Sequence, residues 1–407
     1  MLKKWAKRAR KYLYDQKISF RRWRSRVKRE LTLIVLGLGH RLLLLGVGPL
    51  ARRLPSGKFS FLPRLRFLIG PTNSANQGVE WAGALNRAGF KAQSLRISTD
   101  PSAEWFTTDI AISREEWLKQ PVRSALAQRF AAQSDVLLLE SLSPIFRLEN
   151  ARDGRHQVLE DIELARRIGK KVGVIFHGSD IRDVDQHAAR IPFSPFASDR
   201  PEVAELRSRV AANKAILPAL QKMGIPLFVS TPDLLKDVPS AQWLPVVVDF
   251  PKFSAVAESS PIHSSAKLRV LYLPSQSWLK SSEIITPVLE KLSSENVIEW
   301  VTSPQLSHDE IPALLAKVDL VVDQLFGATG VFTAEALAAG RLVMGYLEER
   351  SSHSAPIITV TPESLEAAIR EVAAERPSAS GGVEFVQRWH DGRESATVIA
   401  HAFGWRA

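Results

Sequence analysis

Residues 320–340 read LVVDQLFGATGVFTAEALAAG, and this stretch joins an acidic strand end, two loop glycines and a helix-borne carboxylate in one strand–turn–helix. The apolar run Leu320, Val321, Val322 predicts a parallel strand buried on both faces. Gly327 and Gly330 let a loop backbone approach a ligand, and the helix that follows directs its positive end and unpaired amides at the crevice. Glu335 falls just inside that helix, within reach of a ribose or hexose hydroxyl. Asp323 at the strand end either meets a ligand or shapes the loop. The turn reads as a sugar-nucleotide site, yet the same pattern also serves plain packing in α/β proteins, so its neighbours in the chain must decide.

Outward from this segment, short β-branched or leucine-rich runs alternate with helical stretches, which predicts parallel sheets covered by helices. One series has strands at 65–69, 92–97, 135–140, 171–176 and 226–230, with helices at 78–88, 158–168 and 204–219. A second has strands at 268–273, 297–302, 320–325, 342–346 and 357–360, with helices at 282–292, 308–318 and 332–339. Between them, 244–251 (LPVVVDFP) runs into a Ser-, Pro- and Lys-rich stretch ending at Lys267, read as an interdomain connection hinged near Val248. Residues 375–382 form a second break before a last helical stretch. The organisation is therefore residues 60–247 as one Rossmann-like domain on the acceptor side, 248–382 as another on the donor side, and 383–407 as a helical end packing back on the first.

The chain has 407 residues, more than one core usually supports, and no cysteine. Disulfide scaffolds and thiolate chemistry are excluded. The formal charge of +11 is unevenly placed: residues 1–54 hold sixteen Lys or Arg against Asp15 and Glu30, a net of +14, which leaves 38 basic and 41 acidic groups, or −3, on the rest. A near-neutral body has no electrostatic warrant for nucleic acid.

Within residues 3–29 the basic residues are interleaved with Trp5, Tyr12, Tyr14, Ile18, Phe20 and Trp23, a composition suited to an amphipathic helix lying in an anionic membrane surface. The apolar runs 31–39 and 42–50 are interrupted by His40 and Arg41, and an arginine at mid-bilayer costs roughly 2.5–3.5 kcal/mol. Residues 1–54 are thus read as basic, apolar membrane-associating helices attached to one face. A spanning helix, a pair of helices packed on the body and an RNA-binding arm are the alternatives. The positive-inside bias places the body at the cytoplasmic face of the cell membrane.

The 320–340 segment and the following Arg341-Leu342-Val343 resemble the donor block of bacterial GT-B fold glycosyltransferases, specifically the large retaining family four, with Leu342 where a proline is usual. The resemblance covers the chain from Leu65 onward. It implies two Rossmann-like domains facing across a cleft, with Glu335 binding a donor hydroxyl and Gly327, Gly330, Val331 and Phe332 lining the donor site. Many members carry a second Glu where this chain has Gly327. Residues 273–282, LPSQSWLKSS, are similar to the family's diphosphate clamp: Ser275 and Lys280 would meet the donor, while Ser277 replaces an arginine and Ser281 a glycine. Residues 177–182, HGSDIR, are similar to a further signature, in which His177 meets the transferred sugar while Asp180 and Arg182 orient the loop. Arg182 is a candidate substitute for the missing arginine. The first βα turn, with Asn73, Gln77 and Gly78, faces the acceptor or closes over the phosphates.

The resemblance implies transfer of a hexose from a nucleotide diphosphate sugar to a lipid-linked or polysaccharide acceptor, with His177 and Glu335 as the catalytic pair. No His, Asp and Glu group has metal-ligand spacing, so neither metal nor cofactor is invoked. A degenerate relative acting as a scaffold in surface polysaccharide assembly is the rival that the replaced Arg and Glu support. A sugar-nucleotide epimerase would gain nothing from the basic arm.

Overall fold

The computed structural model describes residues 65–98, 108–146, 154–262, 267–302, 307–348, 351 and 353–405. The basic segment 1–54, and with it the proposed membrane helices, lies outside the described residues. Among the described residues no helix is long and apolar enough to cross a membrane.

The first half forms a seven-stranded sheet from β1 (Arg66–Gly70), β2 (Lys91–Ser98), β3 (Ile110–Ser113), β4 (Val136–Glu140), β5 (Lys171–Phe176), β6 (Leu227–Val229) and β7 (Gln242–Trp243), in the order β3-β2-β1-β4-β5-β6-β7. Every pairing in it is parallel. Alternation puts Phe67, Ile69, Val136 and Leu138 in the core of one face and Leu68, Leu137 and Leu139 in that of the other. Such strands read as continuous apolar runs because both faces are covered. The order reverses between β1 and β4, which opens a crevice at their carboxyl ends.

The second half is a five-stranded parallel sheet of β8 (Leu268–Tyr272), β9 (Ile298–Val301), β10 (Leu320–Gly327), β11 (Leu342–Leu347) and β12 (Ile358–Thr359), in the order β12-β11-β10-β8-β9. Its switch point lies between β8 and β10. The loops after these two strands carry the two segments read as donor-binding.

The structure corrects the sequence reading at several places. Residues 250–259 are not linker but a helix, Phe250–Ser259, entered by Pro251 and capped by Asp249, whose side chain accepts from Lys252 N, and held by buried Phe253 and Val256. The helix expected over 204–219 is two, Pro201–Lys214 and Leu217–Lys222, because Pro218 can start a helix but not continue one. Edge strands β3 and β7 and the helix Gln120–Gln133 were not anticipated; that helix buries only Leu126 and Phe130, too thin an apolar stripe to register as periodic.

The connector 244–248 is clamped on both sides. Gln77 exchanges hydrogen bonds with Val247 at 3.0 and 2.7 Å, Trp81 Nε1 donates to the Pro245 carbonyl at 2.9 Å, and Ser395 donates to the same carbonyl at 2.8 Å. The last helices divide between the domains: Gly382–Trp389 puts Val386 into the second core, and Arg393–Ala402 puts Ala396 and Ile399 into the first. Gly392 makes the crossing at φ 96°, where a Cβ would stand 2.8 Å from that of Ala84. Gly392→Ala is expected to cost roughly 2 kcal/mol or more, combining overpacking with a disallowed backbone. Gly169→Ala, at φ 75° with nothing within 4 Å of the new Cβ, pays the backbone term alone; urea unfolding of both variants checks the difference.

Candidate functional site

At the first switch point β4 ends in Glu140, which is wholly buried. Its Oε2 accepts from the amides of Thr72 and Asn73 at 3.1 and 2.8 Å, and its Oε1 meets His177 Nε2 at 3.0 Å. One carboxylate therefore ties the loop after β1 to the first residue after β5. His177 also stacks on Trp81 with ring centres 5.5 Å apart, and its amide donates to Asp180 Oδ1 at 3.0 Å. Burial alone would lower the His177 pKa; the hydrogen bond and charge of Glu140, with Asp180 behind it, outweigh that and raise it. The loop itself is strained: Asn73, Ala75 and Asn76 all take left-handed conformations. Asn73 Oδ1 accepts from Val79 N at 3.1 Å, and a Cβ on Gly78 would press against that oxygen at 3.1 Å.

At the second switch point Lys280 Nζ donates to Asp323 Oδ1 at 3.0 Å, while Thr333 holds the other oxygen at 2.5 Å. Tyr272 at the end of β8 fixes the backbone of this loop by donating to the Lys280 carbonyl at 2.9 Å, and burial pushes its pKa up to about 12. Ser281 follows at φ 65°, which explains why a glycine suits this position; it precedes the helix Ser282–Ser294 without capping it, its hydroxyl donating instead to the Leu325 carbonyl at 3.3 Å. The helix Val331–Ala338 starts after Gly330, whose missing side chain leaves open space. Its first amides have no acceptor within the helix.

These two sets face each other across a cavity of about 520 Å³ lined from the first domain by Gln77, His177 and Arg182 and from the second by Ser275, Lys280, Gly330 and Val331. Asn73, Gly78, Asp180 and Asp323 stand behind that lining as supports. Phe332 packs against the second core. Glu335 is not in the lining: it is 5% exposed and takes a 2.6 Å hydrogen bond from His308 Nε2. That contact, followed by desolvation working against it, leaves the His308 pKa raised.

Gly327 faces the other domain, since a Cβ there would fall 2.6 Å from Ile191 Cδ1. The same contact zone holds Arg182, which pairs with Asp233 and lies 4.8 Å over the Phe326 ring. His187 Nε2 donates to the Phe326 carbonyl at 2.9 Å and its Nδ1 accepts from Ser194 at 2.8 Å. Burial, then the Arg182 charge, lowers its pKa to about 4.

Glu140, Trp81, His187 and His308 escaped the sequence reading. For Glu140 a signal existed, an acid closing the apolar strand VLLLE, but its partners come from distant loops. His187 lies in a short helix, and His308 inside the capping box Ser307–Glu310, a helix-start signal that says nothing of a site.

No family model and no curated protein matches the sequence. Solved structures do. Sucrose-phosphate synthase from Thermosynechococcus elongatus aligns with TM-score 0.53 and 13% identity over 84% of this chain and 98% of its own. HepE from Anabaena, solved with UDP and glucose, aligns with TM-score 0.54 and 13% identity over 84% and 99%. A glycosyltransferase from Rickettsia africae gives 0.54 and 12% over the same shares. The chain has the fold of the GT-B glycosyltransferases.

The two imidazoles bias stability with opposite sign. His177, raised above its ordinary value of 6.5, contributes stability that is complete below that value and lost as pH rises through the folded one. His187, lowered to about 4, contributes stability present above 6.5 and lost as pH falls toward 4. In unfolding midpoints measured from acid to alkaline pH, His177→Gln should cost most at the acid end and His187→Gln most at the alkaline end. Parallel offsets would contradict both assignments.

Proposed function

We propose that this chain is a membrane-associated, metal-independent glycosyltransferase that moves a hexose from a nucleotide diphosphate sugar to a lipid-linked or cell-surface polysaccharide acceptor, with retention at the sugar carbon. The observation that carries this reading is Lys280, held by Asp323 beside the first turn of Val331–Ala338 and facing His177 and Arg182 across the cleft. As the bond between sugar and phosphate breaks, negative charge grows on the leaving diphosphate. A fixed ammonium and aligned helix amides stabilise that charge without reorganising. His177, whose pKa Glu140 raises, would offer a ring N–H to the sugar or phosphate oxygens from the opposite wall. Ser277 leaves the clamp without its usual arginine, and Arg182, in the cleft lining, is the substitute this reading favours.

Residues 1–54 would hold the enzyme on the cytoplasmic face of an anionic membrane, beside a lipid-linked acceptor. The scaffold reading draws on one specific feature: Lys280 is already engaged by Asp323, and Glu335 by His308, so both groups are satisfied without a donor.

Thermal unfolding of the full chain with UDP, GDP, ADP and dTDP sugars tests the donor site. One nucleotide sugar should give a saturable rise, about 2.7 kcal/mol of stabilisation at a hundredfold excess over Kd. Lys280→Ala should weaken its binding roughly tenfold or more and abolish transfer or hydrolysis. Binding without turnover would support the scaffold, and no binding by any sugar would sink the transferase.

A further inference from the structure

The cleft occupies the edge where the strands of the seven-stranded sheet end. At the opposite edge, where they begin, a second cavity of about 300 Å³ has Arg166, Lys170 and Lys171 in its wall and no acidic residue. Arg166 donates to the Met223 carbonyl at 3.0 Å and Lys171 to the Phe403 carbonyl at 2.5 Å. Both acceptors cap helix C-termini, and a helix dipole accounts for a cation near such an end.

It does not account for Lys170, whose side chain is only 4% exposed. Its described carboxylate neighbour, Asp135, stands 3.9 Å away, beyond hydrogen-bond range. Arg66 already engages both oxygens of that carboxylate, at 3.0 and 3.1 Å. Desolvation lowers the Lys170 pKa and Asp135 only partly opposes it. An ammonium in the wall of a cavity that also carries Arg166 and Lys171 and no acid, its nearest carboxylate outside hydrogen-bond range and already held by Arg66, is a site suited to an anion.

We propose that this pocket binds a phosphate group, with Lys170 at its floor and Arg166 and Lys171 at its rim. A phosphate presents enough acceptor oxygens to satisfy three charged donors at once. Its source is suggested by where the chain enters: Lys171 N bonds Asp135 O at 3.0 Å and Asp135 N bonds Arg66 O at 2.8 Å, so the pocket and the start of β1 lie along one row. They are two strands, about 10 Å, apart. The sixteen basic residues of 1–54 precede that entry point. The pocket thus lies near the start of β1, and on the reading of residues 1–54 as membrane-associating the phosphate of a lipid headgroup is the favoured source. Free phosphate shares the chemistry.

The test uses the full chain and inorganic phosphate titrated against chloride at constant ionic strength, with melting temperature and calorimetry as readouts. Lys280→Ala silences any phosphate in the cleft. A saturable rise that survives Lys280→Ala, and whose apparent affinity falls about tenfold in Lys170→Met and in Arg166→Ala, is expected. No saturable rise, a rise lost with Lys280→Ala, or one unchanged in the pocket variants overturns the site. Should Lys170→Met not fold, the exposed Arg166→Ala decides alone. Cosedimentation with phosphatidylcholine vesicles, with and without phosphatidylglycerol, separates the sources. A headgroup predicts about fivefold weaker binding of Arg166→Ala to the anionic vesicles; equal binding, with the phosphate effect intact, assigns the site to free phosphate.

Discussion

The buried carboxylate of Glu140 is the point on which the first domain's side of the cleft depends. A charge with no solvent contact is tolerated only when its lone pairs are filled, and here two amides and an imidazole fill them. The same bonds stabilise a loop in which Asn73, Ala75 and Asn76 sit at positive φ, a conformation costing on the order of 1 kcal/mol or more per residue unless the surroundings hold it. Because β4 lies between β1 and β5 in the sheet, its last residue is the one position from which a single side chain can reach both neighbouring loops. The wall is therefore arranged before any ligand arrives.

The opposing wall is built differently. Its cation, Lys280, is held from below by Asp323 and from its own backbone by Tyr272, so the second switch point presents a charge on a rigid support. The domains also touch directly where Gly327 lies against Ile191 and Arg182 covers Phe326. A side chain at 327 would collide with the first domain in this arrangement. The glycine that departs from the family resemblance thus has a packing reason in this chain, and under the proposed function contacts to a donor sugar would fall to groups on the first domain's wall, His177 and Arg182 foremost.

What was legible in the sequence follows from the range of the forces involved. Central parallel strands announce themselves as short apolar runs, and β1, β4, β5, β8 and β10 were all placed within a residue or two. Lys280, Asp323 and His177 were legible because each sits in a local motif. Glu140 was not, since its meaning comes from strand order, and strand order is absent from any local window. The pairing of Glu335 with His308 bridges two helical segments of the same domain and was equally hidden. The helix Phe250–Ser259 was missed for another reason: its Ser, Pro and Lys content imitates a linker, although Asp249 and Pro251 are a helix start by their chemistry.

Strand polarity places the two charged regions at opposite edges of one sheet. The cleft takes the carboxyl ends, and Lys170, Lys171 and Arg66 take the amino ends, with the six residues of β5 between them, about 20 Å at the usual rise per residue. On the proposed orientation, with the amino edge against headgroups, that height separates the bilayer from the site of transfer. A hydroxyl attached directly to a lipid headgroup would not reach it, whereas the growing end of a saccharide chain extending from its lipid would. On that orientation the proposed acceptor would be a hydroxyl carried on a chain of several sugars.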